Sequence, residues 1–217
     1  MDASIGELSG NGRHAPNGGS PAALELAGRA SPVDRQAAER AVADLLRALG
    51  ADPARDELRE TPRRVAAAFV EMFAPVPFTL TTFPNDEAYD ELVMVRDVPF
   101  HSLCEHHLLP FVGVAHVGYI PGRELVGLSK LARVVDHCAR GLQVQERMTT
   151  KIASYLDGRL RPKGVGVVLE AEHLCMSIRG VSKPGTRTVT STLMGAVRED
   201  GTRQEFLALA GIRSAAS

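Results

Sequence analysis

A thiol, a carboxylate and two imidazoles occupy four consecutive positions of this chain, Cys104-Glu105-His106-His107. A single tight turn can aim Cys104 and His107, three apart, at a common point while His106 faces elsewhere. A second group of the same chemistry lies far downstream at His173-Leu174-Cys175, with Arg179 close behind. Read as a strand, that segment puts His173 and Cys175 on one face, because residues two apart share a side of the pleat. Cys104, His107 and Cys175 then make a Cys2His donor set, which suits Zn2+ and leaves a fourth position open to water. His106 and His173 remain as imidazoles beside the metal, placed to carry protons in a hydrolysis. The competing reading is a closed structural zinc site, in which Cys104, His106 or His107, His173 and Cys175 supply four ligands and the metal only knits a scaffold. Adjacency of His106 and His107 counts against it, since neighbouring side chains do not readily converge on one ion.

Cationic side chains cluster around these ligands in the sequence. Lys130 and Arg133 are three apart at a predicted helix start that Ser129 caps, so they share a face near its positive end. Arg179 and Lys183 follow the second metal segment. Helix starts flanked by Lys and Arg are natural seats for phosphate oxygens. In Gln143-Val144-Gln145-Glu146-Arg147, the carboxylate of Glu146 beside the amide of Gln145 matches the paired N–H donors of a guanine edge.

Composition narrows the classes. With 217 residues, 44% hydrophobic and 24% charged, the chain has the make-up of a globular protein large enough for a full core. A formal net charge of −1 argues against a general nucleic-acid or membrane binder, so an anionic ligand must be held by a local cluster. Three cysteines, no secretory pattern and no long apolar run predict a cytoplasmic protein with reduced thiols.

The elements that must hold these groups follow from periodicity. Residues 1–31, rich in Gly, Ser, Ala, Pro and Asn, read as a disordered tail. Ser31 is expected to cap a first helix with Pro32 in its first turn, carrying the stripe Ala38, Ala41, Val42, Leu45, Leu46 and Leu49. Thr61-Pro62 opens a second helix that Pro75 and Pro77 end. Residues 79–91 read as a loop or weak strand with a solvated acidic patch. Residues 92–98 and 111–120 read as strands on either side of the Cys104 turn, with His116 an ordinary strand residue. A long helix follows from Gly127, its stripe including Cys138 as a core thiol, and Gly141 divides it from a second helix running to Gly158. Residues 165–171 are a buried strand, residues 186–197 its hairpin partner, and Thr202-x-x-Glu205 has capping-box spacing for a last helix after an Asp200-Gly201 turn. This predicts an α+β chain with a helical arm at residues 32–91 and a catalytic domain at residues 92–217, built on an antiparallel four-stranded sheet. Two open sheet edges favour a homo-oligomer.

Taken together, these stretches resemble the GTP cyclohydrolase I family. The resemblance rests on Cys104-Glu105-His106-His107, Gly127-Leu128-Ser129-Lys130-Leu131-Ala132-Arg133, Gln143 to Arg147, His173-Leu174-Cys175 with Arg179-Gly180, and Thr188-Val189-Thr190-Ser191-Thr192, all in order over about residues 34–213. It implies conversion of GTP and water to 7,8-dihydroneopterin triphosphate and formate, the first step of pterin and folate synthesis. It implies zinc on Cys104, His107 and Cys175, proton transfer by His106 and His173, and Ser129 near the sugar. Glu146 with Gln145 would hold the guanine edge, and Lys130, Arg133, Arg179 and Arg64 the triphosphate. The family fold is the tunnelling fold, assembled as a toroidal homodecamer with sites shared between subunits. One departure concerns a Lys that some members carry three residues after the Arg64 position, which here is Ala67. A zinc hydrolase of another purine nucleotide is the remaining alternative.

Overall fold

The computed structural model describes residues 33–74 and 76–212. The expected tail, the Ser31 cap and the Pro75 stop lie outside the described residues. Helix α1 (Arg35–Ala48) is capped instead by Asp34, whose carboxylate accepts from the Ala37 N–H at 2.9 Å. Helix α2 (Thr61–Phe73) begins at Thr61 with Pro62 in its first turn, as expected. The two pack on each other, yet α1 buries none of its residues within the chain, and Leu45 and Leu49 stay 57% and 74% exposed. The far end of α2 docks on the rest of the molecule, where the Gly141 N–H donates to Met72 O at 3.1 Å.

Strand β1 (Thr82–Pro84) pairs antiparallel with β4 (Glu124–Val126). The main sheet contains β2 (Val93–Cys104), β3 (Pro110–Ile120), β6 (Gly164–His173) and β7 (Arg187–Gly195) as successive antiparallel neighbours. These are the four expected strands. A fifth, β5 (Leu142–Gln143), runs parallel to the end of β2, so the sheet has five strands, not four. Its cause is Gly141, whose φ of +74° swings the chain back so that two residues lie alongside Leu103 and Cys104.

Helices α3 (Leu128–Ala139) and α4 (Gln145–Leu160) cover one face of this sheet, α3 over β2 and α4 over β6 and β7. Of the expected α3 stripe, Leu131, Val134, Val135 and Cys138 are wholly buried, each apolar side chain contributing about 1.5–3 kcal/mol, while Leu142 falls on β5 and is exposed. Burial pushes the Cys138 thiol up to about 12, so it is a core thiol. Gly127, not Ser129, caps this helix, and Ser129 sits inside its first turn. A smaller core of Ile120, Val168, Val197 and Phe206 lies beneath α6 (Asp200–Leu209). A Cβ at Gly166 would come within 2.5 Å of the Phe206 ring, which explains a glycine in that strand. Helix α6 starts at Asp200 after a 3₁₀ turn, Ala196–Arg198, which puts Thr202 inside the helix and removes the expected Asp200-Gly201 turn.

One difference bears on the chemistry. Strand β6 ends at His173, and the chain passes at once into a helical turn, α5 (Leu174–Ser177). Cys175 therefore lies on that turn and not on the strand face of His173. Ser177 explains the break, since its hydroxyl donates to Glu172 Oε1 at 2.6 Å and folds the chain back on the strand end. Among the described residues, no helix is long and apolar enough to cross a membrane.

Candidate metal and active site

Cys104 is the last residue of β2, and a tight turn follows it. The Cys104 N–H donates to Leu109 O at 2.9 Å, the Cys104 carbonyl accepts from the Leu108 N–H at 2.9 Å, and Leu108 takes a φ of +56°. That turn brings His107 back over Cys104, with Nδ1 3.7 Å from the sulfur. From the end of β6, two strands away, α5 delivers Cys175, and the candidate ligand atoms of Cys104, His107 and Cys175 all lie within 4.8 Å of one another. Tetrahedral zinc with its usual bond lengths sets sulfur and nitrogen about 3.6 Å apart. The donor set and its spacing therefore fit zinc. Burial, followed by the Cys104 thiol beside it, pushes the Cys175 thiol up. A cation bound beside it would favour the Cys175 thiolate and offset that rise.

His106 stays next to this group, its Nδ1 3.8 Å from the Cys104 sulfur and its ring nearly perpendicular to that of His107. The Arg179 guanidinium approaches His107 Nε2 at 3.4 Å. Opposite, His173 lies flat on the Phe111 ring, with centroids 4.6 Å apart and planes 3° from parallel. Burial holds its pKa below the ordinary histidine value, opposed by the carboxylate of Glu146.

Several supporting side chains escaped the reading of the sequence. Glu105 forms an ion pair with Arg147, tying the metal turn to the start of α4. Glu172 accepts from both Ser177 and the Gly185 N–H, the latter at 2.9 Å, so one carboxylate fastens α5 and the basic loop after it to β6. Thr190 joins Gln145 and Thr149. The Thr-rich run gave these threonines a strand, but neither its alternation nor its composition showed which hydroxyls meet the helix.

One end of the sheet thus gathers Cys104, His106, His107, His173, Cys175 and Arg179, with Glu146 exposed in the first turn of α4. Gln145 is expected beside Glu146 but turns inward, only 2% exposed. Ser129 and Lys130 are not brought to this end, and Arg133 lies midway along α3. The far end of α3 is the near one: Ser102 at the end of β2 donates to Ala139 O at 2.6 Å. A helix of 12 residues rising 1.5 Å each places its start about 18 Å away. Arg64 lies near the start of α2, whose other end docks near Gly141.

The family model described as GTP cyclohydrolase I matches residues 38–211. The chain is 52% identical over 196 residues to the GTP cyclohydrolase 1 of Streptomyces avermitilis, covering 87% of this chain and 96% of that protein. Similarity to the Streptomyces coelicolor protein of the same name has the same identity and coverage. The GTP cyclohydrolase 1 of Aquifex aeolicus is 51% identical over 178 residues, covering 82% of this chain and 97% of its own.

Proposed function

This chain belongs to the GTP cyclohydrolase I family of enzymes, and we propose that it opens the guanine imidazole ring of GTP at C8, releases formate and yields 7,8-dihydroneopterin triphosphate. The convergence of Cys104, His107 and Cys175 from two distant segments is the observation that carries this reading. Bound there, zinc would supply a Lewis acid able to make a water nucleophilic near neutral pH.

The chain's own groups do the rest. Glu146 accepts the two N–H donors of the guanine edge and sets C8 toward the cysteine–histidine cluster. His106 and His173 pass protons to the ring nitrogens as the imidazole opens and formate leaves. Phe111, stacked beneath His173, keeps that ring in one plane and shields one of its faces from water. Ser129 serves the sugar during the Amadori rearrangement and ring closure that follow. Arg179, Lys130, Arg133 and Arg64 take the triphosphate, with Ala67 leaving the outer end of the grip one cation short of some relatives.

The separation along α3 supports a site completed by a second copy. If Lys130 and Arg133 touch the triphosphate of a nucleotide held at Cys104, they come from a neighbour. The toroidal homodecamer of the tunnelling fold supplies such a neighbour, and the uncovered α1 gives it an apolar surface to grip. All three cysteines are free thiols, in keeping with a cytoplasmic enzyme.

Incubation of zinc-loaded protein with GTP or ATP tests the assignment. Formate and a pterin that fluoresces after oxidation are expected from GTP alone. Equal turnover of ATP would remove Glu146 from the guanine edge, and zinc without either product would leave a scaffold.

A further inference from the structure

Gln145 opens α4 but points into the protein, and all of its polar atoms are engaged. The amide nitrogen lies 3.2 Å from Leu169 O, 3.0 Å from Thr188 O and 3.1 Å from Thr190 Oγ1, and the amide oxygen lies 2.7 Å from His173 Nε2. Two of those acceptors are backbone carbonyls, which cannot donate. The end of the amide that faces them must therefore be NH2, and the oxygen must face His173. An amide oxygen only accepts, so His173 Nε2 must carry the hydrogen between them.

The hydroxyls around Gln145 fix the same direction. Thr149 has one proton and donates it to the backbone carbonyl of Gln145 at 2.7 Å. Thr190, 2.6 Å from Thr149 Oγ1, must then donate to it, which leaves the Thr190 oxygen to accept from the Gln145 amide. Reversing the amide would set its oxygen against two carbonyls and disorder both threonines. Stacking on Phe111 holds the His173 ring in its plane, and a half-turn within that plane would put a carbon against the amide oxygen and lose the 2.7 Å bond.

We infer that Gln145 is a positioning residue, which holds His173 as the Nε2–H tautomer and leaves Nδ1 as the ring nitrogen open to a reacting atom. A side chain so placed has its N–H donors spent inside the protein and is only 2% exposed, so guanine recognition falls to Glu146. The functional half of this inference rests on His173 carrying protons in the proposed reaction. The tautomer itself is a property of the resting protein and is read without turnover.

Solid-state NMR of the full, zinc-loaded chain with 15N-labelled histidine at pH 8 tests it, with His173 signals identified by their loss in His173→Asn. We expect a protonated Nε2 and an unprotonated Nδ1 in the wild type. The reverse pattern would overturn the inference whatever any variant does. In Gln145→Leu the His173 signals should spread over both tautomers, and kcat should fall on the order of 10- to 100-fold with KM for GTP and zinc content nearly unchanged. A raised KM with kcat preserved would instead make Gln145 a purine contact and overturn the inference. Should His173→Asn turn over GTP like the wild type, the catalytic reading of His173 fails while the spectrum still decides the tautomer.

Discussion

Cys104 has two histidines within reach, His106 Nδ1 at 3.8 Å and His107 Nδ1 at 3.7 Å, and only one can be the ligand if water is to keep a corner. The choice of His107 follows from Cys175, whose sulfur closes on Cys104 and His107 together. On the proposed mechanism His106 is then left as a proton carrier. Its loss in His106→Ala should leave zinc bound in full while kcat drops about 10²- to 10⁴-fold, the ordinary size of an acid–base contribution. Metal analysis beside a formate assay checks it, and a protein that loses its zinc would show that the two histidines have been exchanged. The grouping of Cys104, His107 and Cys175 was legible because four chemical side chains in a row are rare and Cys175 sits near another histidine. The hydrogen-bond partners were not, because Gln145 reads as a polar residue at a helix start, where exposure is the default.

Elements show the same division. The helical stripes of α3 and α4 predict their own burial, since a period of 3.6 is imposed by the core they face, whereas β3, read as alternating, is buried without a break from Ala115 to Ile120. Short-range competition among polar groups is what the pattern misses: Ser177 reaching Glu172 turns the end of β6 into α5, and Asp34 takes the cap expected elsewhere. A third local feature predicts a pH effect. Strand β2 bulges between Val95 and Val98, where Asp97 adopts a φ of +56° and donates its N–H to His116 Nδ1 at 3.3 Å. Burial is the main cause that holds His116 below its ordinary value, opposed by the Asp97 and Glu170 carboxylates. The folded state thus binds fewer protons than the unfolded state just below pH about 6.5. The stability from neutral His116 is fully present above that value and is lost as pH falls toward the folded pKa. Urea unfolding of the wild type and of His116→Gln should therefore differ less at pH 5.5 than at pH 7.5. A constant difference would mean that His116 does not titrate on unfolding.

At the scale of the whole molecule, one chain holds the Cys104, His107 and Cys175 cluster toward one end of α3 and Ser129 and Lys130 at the other, with Arg133 midway. Sequence proximity to a predicted site had suggested one cluster; the length of the helix separates it into two. Complementation measures the consequence. Cys175→Ser and Lys130→Ala chains, each inactive alone, should regain turnover when unfolded together and reassembled in equal amounts. Random mixing leaves about one site in four with both groups intact if each site draws them from adjacent copies. No recovery above the separate proteins would place the entire site within one chain.

Beneath each of these expectations lies a cation shared by residues that the sequence keeps seventy positions apart. Zinc X-ray absorption on the purified protein reads that sharing without assuming the reaction. Two sulfur neighbours at about 2.3 Å with nitrogen or oxygen at about 2.0–2.1 Å are predicted for the wild type, and a single sulfur for whatever metal Cys175→Ser retains. A wild-type zinc with one sulfur or none would contradict the account.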